Sequence, residues 1–323
     1  MEKTEELLLS KTRSIPAVIR DGYRLYTGNF KRLFRASWIA ALLYAICFAL
    51  MASTLINDVL SILAVASTYG LQILQTEDHT LTYIKTGCSL LLFAVAMLAL
   101  ASYAFGSCED HKQTGQILRP ARWWGTFHLK TFLRLLVACV WLSLLIVVVT
   151  AIFGAIVYAV VSAGIVDSLW KSVTTIALLV ILACVAGAFL LPFIHPVVKF
   201  VVGGQWSWMP PVKGYGIALR HWSLLFVTLL VTLIVTALLT FICELPAFVI
   251  GIACAKAYAG AAMGDPLGLP EHMALTSFMA FLIAGFVQAY VHLFSVFPFY
   301  YAYGSIEQQE QDRQEMMQTT SAE

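Results

Sequence analysis

Residues 87–106 read GCSLLLFAVAMLALASYAFG: twenty letters without a charge, followed at once by the polar SCEDHKQT. A helix needs about 20 apolar residues to cross a hydrocarbon layer about 30 Å thick. A membrane strand would alternate and be about half as long. The stretch therefore reads as a transmembrane helix. Five others resemble it, so the spans fall at about 37–56, 87–106, 135–155, 174–194, 224–243 and 275–297. Composition agrees. Hydrophobic residues make up 60% of the 323 and charged residues 12%, against about 45–50% and about 25% in soluble domains. A water-soluble fold of this size has no place to hide so much apolar side chain. The expected fold class is all-α: a polytopic membrane protein with six transmembrane helices. The first 35 residues are charged and amphipathic rather than a short basic start before an apolar core, so no secretory signal is expected.

Charge gives the threading. Of 20 Lys and Arg, only Lys85, Lys171 and Lys256 fall in the three loops on one side. The other 17 lie in the N-terminal arm, the 107–134 and 195–223 connections and the tail. Positive residues collect on the cytoplasmic side, which puts both termini in the cytoplasm. The opposite loops are net acidic.

YAFGS at 103–107 returns as YAYGS at 301–305, and the fourth span closes similarly with FVVGG at 200–204. Ahead of the odd spans stand GYRLYTGNFKRLF (22–34), WGTFHLKTFLRLL (124–136) and GYGIALRHWSLLF (214–226), each preceded by a proline. This order predicts three parallel two-helix repeats, each preceded by an amphipathic interfacial helix. Repeat 1 covers 1–106, with its interfacial helix at about 14–34; repeat 2 covers 107–204 and repeat 3 covers 205–304. The polar, acidic tail, 305–323, reads as disordered and cytoplasmic. Alike hairpins can be related by an axis along the membrane normal.

The entrance segments carry aromatics opposed by cations, as expected at the headgroup layer. Tyr23, Phe30, Lys31, Arg32, Trp123, Trp124 and Trp222 are the membrane-interface candidates. Pro192, Pro196 and Pro298 should bend the returning helices, freeing His195 to meet a backbone carbonyl. Gln288 and His292 stand four apart, on one helical face. Glu244 follows the fifth span directly. His195, Glu244, Gln288 and His292 are thus the candidates for lining a cavity; interhelix hydrogen bonds and an interfacial position for Glu244 are the plainer accounts. The seven cysteines form no CxxC pair and read as small apolar fillers. No phosphate-binding loop, metalloprotease or nucleophile-elbow motif occurs, so no enzyme, metal or cofactor is expected.

The repeated entrance leading into a span resembles a set of bacterial six-span proteins that includes the membrane domain fused to some glycerophosphodiester phosphodiesterases and related stand-alone proteins. The resemblance covers the threading of most of the chain and implies a bacterial inner-membrane location. It carries over no catalytic residues, because the phosphodiesterase domain with its acidic metal ligands has no counterpart here. Two functions remain in view. One is transport or lipid handling through a cavity between repeats. The other is a non-transporting scaffold or accessory subunit that holds a protein partner by its basic interfacial helices and tail. Membrane lipids are the expected partners, and nucleic acid is not.

Overall fold

The computed structural model describes residues 9–56, 80–115, 117, 129–162, 171–203, 214–262, 264, 270 and 272–322. The secondary structure is helical, with no strand among the described residues. The helices are α1 (Ile15–Thr54), α2 (Thr80–Thr114), α3 (Leu129–Ser162), α4 (Lys171–Leu190), α5 (Ile194–Val202), α6 (Tyr215–Arg220), α7 (Trp222–Ala262) and α8 (Met273–Ala322), with a 3₁₀ turn at Leu191–Phe193 between α4 and α5. Among the described residues six stretches are long and apolar enough to cross a membrane: α1, α2, α3, the α4–α5 pair, α7 and α8.

The outward faces explain why. Leu91, Val147, Ile181 and Ile242 are each more than half exposed. Water would penalise such a surface, whereas hydrocarbon solvates it. This is an integral membrane protein.

The core lies between α1 and α8, with α2 and α7 against them. Tyr44, Phe297, Tyr300 and Tyr301 are among its largest fully buried side chains. The two central helices meet closely at Gly22, where an added Cβ would stand 2.8 Å from the Pro298 backbone. Small residues at such crossings let helices approach where lipid gives no hydrophobic drive. Rings fill the rest of the seam: Tyr23 stacks on Phe294 with centroids 4.1 Å apart, and the Tyr26 hydroxyl donates to the Tyr290 carbonyl at 3.0 Å. The second hairpin joins at its base, where Leu135 and Ala138 of α3 pack with Phe200 and Val201 of α5.

Several expectations need correction. The first entrance segment is not a separate interfacial helix. It forms the first half of α1, which runs unbroken for 40 residues, because nothing between Pro16 and Thr54 interrupts helical hydrogen bonding. The third entrance does begin as a short separate helix, α6, before α7. The start of the second, up to 128, lies outside the described residues, as do Trp123 and Trp124; the rest opens α3 without a break. The tail is not disordered: α8 is 50 residues long and Tyr300–Ile306 is buried. Finally, α7 does not stop at Cys243 but continues through Pro246 to Ala262, so Glu244 is a mid-helix residue rather than an exit residue. All seven cysteines are free, with Cys47, Cys108 and Cys254 buried.

Candidate functional site

Between α1, α7 and α8 lies a cavity of about 280 Å³. Its wall follows from helical spacing. Glu244, Ala247, Phe248, Gly251, Ile252 and Ala255 recur at intervals of three and four along α7, which puts them on one face. Phe48 and Ala52 of α1, with Ile56 just past its end, do the same, as do Phe281 and Ala284 on α8. The alanines and Gly251 leave the space that larger residues would close. A Cβ on Gly251 would meet Ile56 Cδ1 at 3.1 Å and Phe281 Cζ at 3.4 Å. Phe48 is seated over Gly285, where a Cβ would stand 2.8 Å from its ring.

Among the described residues Glu244 is the sole charged residue of this lining. It forms no hydrogen bond or ion pair with any described residue. Its depth is fixed by its neighbours. Thr240 donates to Gln288 Oε1 at 2.9 Å, and α7 and α8 run antiparallel. One turn onward in α7, Glu244 therefore stands near Ala284, one turn back in α8. That level is well inside the apolar stretch of α8.

The four cavity candidates do not converge. Glu244 alone lines the cavity. Gln288 and His292 are bonded to each other, Nε2 to Nε2 at 3.3 Å, and His292 packs edge-on to Tyr44. They serve an interhelix contact between α7, α8 and α1.

His195 is elsewhere again. It is fully buried where α4 gives way to the 3₁₀ turn and α5, beside Pro192 and Pro196. It was expected to meet a backbone carbonyl. Instead its Nε2 lies 3.1 Å from Glu307 Oε1, with the ring not aligned for a hydrogen bond. Pro298 sits within α8, which continues through it.

Glu307 belongs to a polar network around the end of the bundle that carries both termini. Lys199 Nζ lies 2.8 Å from each of its carboxylate oxygens. Burial alone would raise this carboxyl; the contacts with His195 and Lys199 outweigh it and hold it at about 2. Arg220 and His221 both reach Glu310 at 3.1 Å. Arg13 pairs with Asp21 at 3.0 Å, its backbone N–H donates to Ser305, and its guanidinium lies over the Tyr301 ring at 4.6 Å. His111 contacts the Tyr300 hydroxyl through Nδ1 at 3.0 Å; burial, with Arg13 nearby, brings it down to about 4. These groups lie beyond the apolar stretches, past Gly106 and Phe297.

A signal for part of this network was present in the chain. The twin pentapeptides extend by two residues to Tyr-Ala-aromatic-Gly-Ser-x-Glu, ending in Glu109 and Glu307. Glu109 accepts from Thr131 at 2.9 Å and pairs with Arg134 at 3.4 Å. In both copies the Ala, Gly and Ser are buried; on Gly304 a Cβ would collide with Leu9.

Of the interface candidates, Lys31 and Arg32 are exposed. Phe30 packs partly against Tyr26 and Tyr290. Trp222 stacks on Phe226 at 4.8 Å and donates to the Ala188 carbonyl.

These features define an α-helical integral membrane protein with a largely apolar interhelical cavity and a cross-braced polar end. Comparison of the chain with protein-family models, with curated proteins and with solved structures gives no match.

Proposed function

We propose that this is a lipid-handling protein of the bacterial cytoplasmic membrane, threaded six times with both termini in the cytoplasm, that receives an apolar chain between its first and third hairpins. The cavity bounded by α1, α7 and α8 carries this reading. An engineered apolar cavity of about 150 Å³ stays dry and takes benzene. At about 280 Å³, this one has room for a longer hydrocarbon segment. Its wall is apolar but for Glu244, and lipid surrounds the helices that form it. The test is photolabelling in nonionic detergent with a diazirine-bearing long-chain alcohol. Label should map to cavity residues and fall several-fold in Ala52→Phe and Ala255→Phe, each of which fills the space. Label confined to the outer faces of α3 and α4, unchanged by either variant, overturns the reading.

A second reading, an accessory subunit that holds a protein partner, is favoured by the last turns of α8, where Met316 and Met317 stay 63% and 52% exposed. A photocrosslinker at Met317 in native membranes should then give one reproducible, stoichiometric adduct that Met316→Glu abolishes. Absence of an adduct removes this reading.

A further inference from the structure

The cavity is asymmetric in its chemistry. Its one charged lining residue, Glu244, can only accept hydrogen bonds when ionised. The described lining residues include no Lys, Arg or His. No described residue hydrogen-bonds to the carboxylate or pairs with it. Three ring-bearing residues, Phe48, Phe248 and Phe281, share the wall. Aromatic faces attract cations, and ionising a carboxyl at membrane depth costs free energy that either a proton or a cationic partner offsets. An anionic head would be repelled by Glu244, and a neutral hydroxyl could donate a hydrogen bond to it but brings no charge to offset its own.

We infer that the cavity selects amphiphiles whose head is a protonated or quaternary amine, with the alkyl chain on the Phe and Ala wall and the ammonium against Glu244. This rests on the lipid-handling reading above and names the ligand class of the same site. Glu244 is in this account a binding residue. Its neighbours serve by being small, since Ala247, Gly251 and Ala284 leave the carboxylate approachable from inside the bundle. Gln288 and His292, one turn away, satisfy each other and Thr240 and leave Glu244 free for the ligand.

The experiment compares two photoreactive probes with the same alkyl chain, one ending in trimethylammonium and one in hydroxyl, on the full chain in nonionic detergent. On the wild-type protein the ammonium probe should reach half-saturation at a concentration at least about tenfold lower, because its full charge pairs with the carboxylate away from water and outweighs the hydroxyl's hydrogen bond. Glu244→Gln should remove that difference and keep hydroxyl-probe labelling, and Glu244→Asp should retain most of it. Equal half-saturation of the two probes on the wild-type chain overturns the inference, whatever the variants do, and leaves the apolar-chain reading standing. Labelling of the cavity by neither probe overturns both.

Discussion

Glu109 and Glu307 stand at the same place in two copies of one seven-residue pattern, and each grips a basic side chain of the second hairpin. Glu109 holds Arg134 of α3, and Glu307 holds Lys199 of α5. The second hairpin is thus clasped on one side by the end of α2 and on the other by α8. Contacts of this kind join segments far apart in the chain and fix where hairpins sit relative to one another.

Removing the Glu307 charge should loosen this clasp. Glu307→Gln leaves Lys199 and buried His195 without their anion and should cost about 1 kcal/mol, since Lys199 remains partly solvated. Thermal unfolding in detergent, followed by circular dichroism, gives the loss. A Lys199→Met, Glu307→Gln double-mutant cycle isolates the pair. Because the folded carboxyl is depressed to about 2 from its usual 4.5, this contribution is complete above pH 4.5 and declines as pH falls toward 2. Glu307→Gln should therefore show a shallower acid decline than the wild type over that window.

Arg13 and Asp21 form a pair with side chains only 2% and 7% exposed. Breaking such a pair from one side costs about 3–5 kcal/mol when it strands a buried charge, but Asp21 keeps Arg20 at 3.2 Å on its other oxygen. Arg13→Met should therefore lower stability by less than that, and Arg13→Met with Asp21→Leu should recover part of it. A double variant no more stable than the single one would show that the contacts of Arg13 with Ser305 and Tyr301 dominate.

Two glycines of α1 should respond in opposite ways. Gly22→Ala pushes a Cβ against the Pro298 backbone, which cannot swing aside, and overpacking of this kind costs about 1–3 kcal/mol. Gly28 has no atom within 4 Å of an added Cβ. There alanine should be neutral or stabilise by up to about 1 kcal/mol through helix propensity. Melting temperatures of the two variants side by side decide the matter.

Gln288→Leu removes the acceptor of Thr240 and the partner of His292. Interhelix hydrogen bonds in membranes average about 0.6 kcal/mol and reach about 1.7, so a loss in that range is expected by reversible unfolding in mixed micelles. Hydroxyl-probe labelling of the cavity should persist, because Gln288 is not part of its wall.

The six spans were readable because an unbroken apolar run of the right length has one stable form in lipid. That Gln288 and His292 share one face was readable too, since spacing by four puts two side chains together; that they bond to each other was not. Helix ends were not. The charges of 20–35 look like a boundary in composition, yet Arg and Lys are good helix formers and α1 passes straight through them. The tail misled for a related reason. Gln, Glu and Met sustain a helix, and the groups that hold it are remote: Arg13 for Ser305 and Lys199 for Glu307, 292 and 108 residues away. Composition alone carries no trace of such partners. The cavity is a gap shared by three helices, so no single stretch encodes it. Only the small residues at 247, 251 and 255 hint at it, and small residues serve close packing equally well.

A 50-residue helix such as α8 measures about 75 Å at 1.5 Å per residue, more than twice the hydrocarbon thickness of about 30 Å. Phe281 and Ala284, which wall the cavity, and Met316 and Met317 near the far tip are therefore points on one continuous helix, with Pro298 and its contact to Gly22 between them.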